Sequence, residues 1–471
     1  MSSLLSSLSQ AARALGAQQA GVQTAGRNLA NVNTPGYARQ RVVLGDRMVI
    51  DTRFGPQGNG VEVLGMEQIR DQFLDATVTQ EISHSALLQA QRSAYGNAET
   101  ALGERVERSA NSIGDAAGST NGISSTINGF FNGWEELSAI PGDAGARQVL
   151  LQKASALVDK FNVADQRLAA LQNDLTSQVN TDVATVNGLM KQIADLNAEI
   201  GASEVQAPGA AMDLRDQRQG RLEELAKYFD FSTRPLAGSP GQIEVVAKDA
   251  TGSDFSLVQG NTVRGGIAFT GTGFTSGEPP VALAVQGGSF AGNLAARDGV
   301  VAGLRTDLRS AATQLATAVN AAYNPGGTSS DFFQVPPGTG ILALDPTLTF
   351  TTLRASATGN AGANEIALAV GNVARQQFST SGGDAIDGTV NGFFSRTVSG
   401  LGATIAGVNT RLADQQAVQQ MATQQRDSVS GVSMDEEMAD LMKYQRAYEA
   451  SARVVRAMDD LLNTIVNGLT R

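Results

Sequence analysis

The single histidine, His84, is the first residue to weigh for chemistry. One imidazole does not build a multi-histidine metal centre, and Ser-His-Asp machinery needs more than the helical run around it offers. Ser83 and Ser85 flank it, and Glu81 is the nearest carboxylate in helical reach. It reads as a solvated helix histidine. The chain has no cysteine, which excludes thiolate nucleophiles, disulfides, zinc ribbons and iron-sulfur clusters together. Asp435, Glu436, Glu437 and Asp440 crowd about one helical turn behind Ser433. General acid/base work needs two carboxylates held across a cleft, so these read as charge capping a helix start. Asp213 and Asp216 with Arg215, Arg218 and Arg221 make an alternating charge face of exposed ion pairs. The glycines at 55, 58 and 60 and at 271, 273 and 277 lack the strand-to-helix context of a phosphate loop and read as turns. Arg39, Arg41, Arg47 and Arg53 form a short basic run. In a chain with 46 acidic and 35 basic residues and net charge -11, that run suits a protein contact better than a phosphate. The sequence thus predicts no enzyme, no cofactor, no metal site, and neither a nucleic-acid nor a membrane partner.

The elements around these residues point to assembly. A chain of 471 residues exceeds what one core organises, so roughly two to four domains are expected. The start, Met1 to Leu15, has no basic residue before Arg13 and only spaced leucines, unlike a secretory signal. No apolar stretch approaches the roughly eighteen residues of a membrane span. Leu8, Leu15, Val22 and Leu29 recur every seven residues beside a second row of Leu4, Ala11, Ala25 and Val32, the seam of a coiled-coil helix. Thr34-Pro35-Gly36-Tyr37 stops it with the proline and glycine of a type II turn. The other end mirrors this with Leu441, Tyr448, Val455, Leu462 and Leu469, alongside Met438, Tyr444, Met458, Ile465 and Val466. Neither seam is buried by its own helix, so both termini are expected to be disordered in the free monomer and helical once paired. A helical tract from Ala146 to Ile200 is either one rod or two helices broken near Asn187-Gly188. Further helices are expected over 66–103, 213–228, 300–323 and 394–412. Short strands are expected over 229–290, with a weaker strand signal at 37–50 and 60–64.

The predicted fold is mainly α with inserted β, a nested multidomain architecture. A terminal coiled-coil domain spans 1–36 plus 432–471. A long-helix domain with small β elements spans 37–228 plus 291–431, and a β domain is inserted at 229–290.

The run Asn28-Leu29-Ala30-Asn31-Val32-Asn33-Thr34-Pro35-Gly36-Tyr37 resembles the N-terminal signature of bacterial flagellar rod, hook and hook-associated proteins. Glu437-Met438-Ala439-Asp440-Leu441 and Tyr444-Gln445-Arg446-Ala447-Tyr448-Glu449-Ala450 resemble the partner signature at the other end. Phe130-Phe131-Asn132-Gly133-Trp134, Lys191 to Asn197 and Asp213 to Arg218 resemble, more narrowly, the hook-associated protein 1 family, the hook-filament junction proteins. The resemblance implies an adaptor ring, exported uncleaved by the flagellar type III apparatus. Its partners would be further copies of itself, the hook protein, hook-associated protein 3 and an export chaperone on the C-terminal helix. The expected location is outside the cell at the hook-filament junction. Leu4, Leu8, Leu15, Val22, Leu29, Pro35, Gly36, Tyr37, Arg39, Arg41, Leu441, Tyr448, Val455, Leu462 and Leu469 are the expected assembly residues. Tyr37 would be an anchor, and Arg39 and Arg41 would reach acidic groups on a neighbouring subunit. Two other readings stay open: another axial flagellar protein such as a hook-like subunit, or an extracellular adhesin displayed through the β insertion.

Overall fold

The computed structural model describes residues 2–34, 36–46, 50–52, 55–57, 60–103, 122–205, 209–327, 329–336, 340–358, 360 and 362–469. Pro35, Arg47, Arg53 and Gly58, and the side chains of Leu4, Val466 and Leu469, lie outside the described residues.

From the N-terminus run α1 (Ser2–Ala30), β1 (Gln40–Asp46), β2 (Ile50–Thr52), β3 (Gly55–Gln57) and β4 (Val61–Gln68). Four helices follow: α2 (Gln72–Leu102), α3 (Ile123–Ala139), α4 (Ala144–Glu204) and α5 (Met212–Ala226). The inserted strands are β5 (Ser232–Pro235), β6 (Ile243–Lys248), β7 (Asp254–Gln259), β8 (Thr262–Val263), β9 (Ala268–Phe269), β10 (Phe274–Ser276) and β11 (Val281–Leu283). Then come α6 (Gly288–Ala295), a π-helical turn at Ala296–Val301, α7 (Ala302–Tyr323), β12 (Phe333–Gln334), β13 (Ala343–Leu344), α8 (Glu365–Val373), α9 (Val390–Ser430) and α10 (Met434–Leu469). The fold is mainly helical with inserted antiparallel β, as the periodicities predict.

The chain forms two compact units. One comprises 1–85, 183–288 and 415–471, the other 86–182 and 289–414. In the first, β1 and β4 pair antiparallel, with a register shift after Val43. The insertion makes a four-stranded sheet ordered β5-β6-β7-β8 and a three-stranded sheet ordered β11-β10-β9. The last turns of α4 bury Val186, Met190, Ile193 and Ile200, and the larger sheet buries Val245, Val246, Leu257 and Val258. Side-chain amides join helix to strands. Asn197 Nδ2 donates to Ile243 O and Gly260 O, at 3.1 and 2.8 Å. Asn187 Nδ2 donates to Ile267 O at 2.9 Å while its Oδ1 accepts the Ile267 N–H at 2.8 Å. Asn187 therefore does not break the tract: α4 is one continuous helix of 61 residues.

The second unit is built around aromatic rings. Phe130, Trp134, Phe161, Tyr323, Phe332 and Phe333 are all essentially inaccessible. Edge contacts join Phe332 to Phe333 at 4.8 Å and to Trp134 at 5.3 Å between ring centres, the favoured geometry for ring quadrupoles. The helix α3 and the short α8 that help close this core are elements the sequence reading did not anticipate.

Candidate functional site: the joint between the terminal signatures

Helix α1 ends in the turn that its sequence requires. The Tyr37 N–H reaches Thr34 O at 3.2 Å, closing the four-residue turn. Gly36 has φ 77°, a left-handed value that a type II turn needs at its third residue and that a side chain would strain. The turn delivers residues 37–40 alongside the last turns of α1, and there Asn28 organises them.

Asn28 is buried and spends its whole amide on this joint. Its Nδ2 donates to Gln40 O at 2.8 Å and to Glu437 Oε2 at 3.0 Å. Its Oδ1 accepts the Gln40 N–H at 3.0 Å and the Tyr37 hydroxyl at 3.0 Å. One side chain thus supplies both backbone partners of Gln40, as a neighbouring strand would, while also holding the other end of the chain. Arg39 completes the link. Its N–H donates to Ser430 O at 2.8 Å. Its guanidinium lies 2.7 Å from Glu436, 2.6 Å from Glu437 and 3.6 Å from Asp440. Burial works against the Arg39 charge, but Glu437 and Glu436 together outweigh it, so the pKa of this arginine is raised. Glu437 is only 3% exposed and sits in the first turn of α10, where the helix dipole also favours a carboxylate.

A second layer secures the turn from the far side. Arg70 donates to Gly36 O at 3.0 Å, to Asp216 at 2.5 Å and to Asp75 at 2.9 Å. Gln68 also donates to Asp216, and Gln40 Nε2 to Asp213. Burial pushes the Asp216 carboxyl up to about 6 despite the adjacent Arg70, and raises Asp75 in the same way. Burial, then the charges of Asp216 and Asp213, push the Tyr37 phenol up to about 12, so it stays a donor.

Past this joint α1 and α10 pack along each other. The deepest positions of α1 are not its leucines but Ala17, Gly21, Thr24, Ala25 and Asn28. A Cβ on Gly21 would stand 2.5 Å from the Tyr444 ring, so the glycine is what lets that ring lie on the helix. Leu8, Leu15, Val22 and Leu29 are half-buried, as are Leu441, Val455 and Leu462. Tyr448 is exposed. Arg39 and Arg41 find their carboxylates inside the same chain, Arg41 pairing with Glu67 across the β1–β4 ladder at 3.1 Å. The sequence gives no sign of these particular partners, because the ladder register and the return of the chain at Ser430 set them. Asn28, Gln40 and Arg70 had no role assigned from sequence; Glu437, read there as helix-capping charge, also holds Arg39 and Asn28, and Asp216, read there as part of an exposed charge face, is largely buried against Arg70. The available signal was a buried-face polar residue at Asn28, seven residues beyond Gly21.

Among the described residues no cluster of metal-ligating side chains occurs, and no helix is long and apolar enough to cross a membrane.

Residues 111–333 match the flagellar hook-associated protein FlgK helical domain, and residues 423–468 match the C-terminal segment of the flagellar basal body rod FlgEFG proteins. The chain is 28% identical to flagellar hook-associated protein 1 of Bacillus subtilis, over all of this chain and 99% of that one. It is 25% identical to flagellar hook-associated protein 1 of Salmonella typhimurium, over 99% of this chain and all of that one, and 24% identical to that of Escherichia coli. The flagellar hook junction protein FlgK of Burkholderia pseudomallei superposes with a TM-score of 0.46 at 20% identity, over 55% of this chain and 47% of that one.

Proposed function

Because the chain belongs to the family of flagellar hook-associated protein 1, a structural component of the flagellum, we propose that it is the adaptor ring that joins the hook to the filament. The observation that carries this reading is the joint at Asn28, Arg39 and Glu437, which ties the two terminal signatures of one chain into a single unit. A subunit that must hand over from one tubular lattice to another needs its terminal helices at a fixed offset from the rest of the molecule. The joint supplies that offset through short, charge-assisted contacts in a buried setting.

In this proposal the terminal segments 1–36 and 432–471 form the innermost layer, around the axial channel. Residues 37–228 with 291–431 form the next shell, and 229–290 face outward. The half-buried leucines at 8, 15 and 29 and at 441 and 462, with Leu4, Val22, Val455, Tyr448 and Leu469, meet neighbouring copies. Partners are further copies of this chain, the hook protein below and hook-associated protein 3 above. The chain leaves the cell uncleaved through the type III export apparatus, with an export chaperone held on α10 beforehand, and acts outside the cell. Export as an unfolded chain suits a protein without cysteine.

The test is a deletion strain. It should make hooks without filaments and shed unpolymerised flagellin into the medium, and a plasmid copy should restore filaments. Normal filaments in the deletion strain would reject the junction role.

A further inference from the structure

A cavity of about 570 Å³ opens in the unit that holds the termini, between α2, α5 and the four-stranded sheet. Its size falls in the range of pockets that take a small ligand or a few side chains of a partner. Its charge is unusual for this chain. The lining carries Arg70, Arg215, Arg218, Arg234 and Lys248 against Asp75, Asp230 and Asp254, in a protein whose net charge is -11.

The cations differ in how they are satisfied. Arg70 is held by Asp75 and Asp216, Arg215 by Glu204, and Arg234 by Glu244 and Asp254. Lys248 also pairs with Asp254. Arg218 is the exception. It is more than nine-tenths buried, yet its Nη1 donates only to neutral oxygens, Asn197 Oδ1 and Gly241 O, both at 2.7 Å. Among the described residues no carboxylate forms an ion pair with it. Burial, then the nearby charge of Arg215, lower its pKa to about 10, and Glu204, already engaged by Arg215, does not offset this. A buried cation without an anion is costly, and the cost is relieved when an anion arrives. β5, an edge strand whose only neighbour in the sheet is β6, lines the cavity with all four of its residues, beside residues of β6 and β7. An open edge accepts an extended segment.

We propose that this cavity is a docking site for an extended, carboxylate-bearing segment of a partner protein, with Arg218 as the buried anion anchor and β5 as the rail. The rest of the surface repels such a segment by its net charge, so the acidic partner is steered to this opening. The proposal does not depend on the junction role, because it rests on the cavity alone.

The probe is a fluorescein-labelled oligoglutamate peptide, extended at neutral pH, titrated with the full chain at low salt and followed by anisotropy. Saturable binding is expected, and Arg218→Met should weaken it by about tenfold or more. Because Arg218 also braces Asn197 and Gly241, Lys248→Glu at the exposed rim serves as a second variant and should weaken binding without shifting the unfolding midpoint. Absence of saturable binding would overturn the proposal, as would equal affinity in folded forms of both variants. Binding of inorganic phosphate at this cavity with no binding of the peptide would overturn it too, by showing a site for small anions.

Discussion

Asn28 shows how much of the joint rests on a single amide. Replacing it with alanine strips Gln40 of both backbone partners and Glu437 of a donor in a site closed to water. The expected loss is about 3 kcal/mol in urea unfolding of the purified chain. Asn28→Asp should be worse than alanine, since a second carboxylate then faces Glu437 with no proton to share. Both variants unfolding like the parent would show that the amide is incidental. Asp216 gives the pH counterpart. Its carboxyl titrates near 6 in the fold and near 3.8 as a free side chain. The folded state therefore holds the proton more tightly, and stability from this group is greatest below 3.8 and is lost as pH rises through 6. The loss is at most about 3 kcal/mol. Asp216→Asn should gain on the parent between pH 4 and pH 7, whereas a constant offset across that window would contradict the assignment.

At the level of elements, two glycines set the geometry by different means. Gly36 has open space around its missing side chain, so only its φ of 77° resists substitution. Gly36→Val should cost stability by strain, about 1–3 kcal/mol, and loosen the joint. Gly21 has an ordinary helical backbone and resists by contact with Tyr444, so Gly21→Leu should part α1 from α10. Hydrogen exchange of the α10 amides would read this as faster exchange from Tyr444 onward, and unchanged protection there would reject the packing. The heptads announce that both terminal helices need partners, and the turn Thr34 to Tyr37 is legible from its proline and glycine. The face by which α1 meets α10 is not. Leucine marks seams, but here Ala17, Gly21 and Thr24 allow closer approach, and the leucine rows are left half-buried. The continuity of α4 was equally hidden. Asn187-Gly188 has the composition of a break, but Asn187 instead bonds the backbone of Ile267, just before β9, and the helix runs on. The aromatic core rests on residues as distant as Phe130 and Phe333, a pairing no local period encodes.

At the level of the whole molecule, the half-buried leucines are the surface proposed to meet neighbouring copies. Leu15→Asp and Leu462→Asp each set a charge in that surface without a partner. Such variants should be made and exported, keep the core around Trp134 folded, and fail to enter the junction, leaving flagellin in the medium. Their normal incorporation would show that the leucine rows are not assembly contacts. One chain closes its own ends through Asn28, Arg39 and Glu437, and in the proposed function it presents that closed unit to the lattice. Electron cryomicroscopy of the intact hook-filament junction tests it most directly. A ring of this chain is expected at the junction, with α1 and α10 of each copy paired, the Tyr444 ring on Gly21 and Arg39 on Glu437. Density in which α1 pairs only with α10 of another copy, or a junction that lacks this chain, would contradict it.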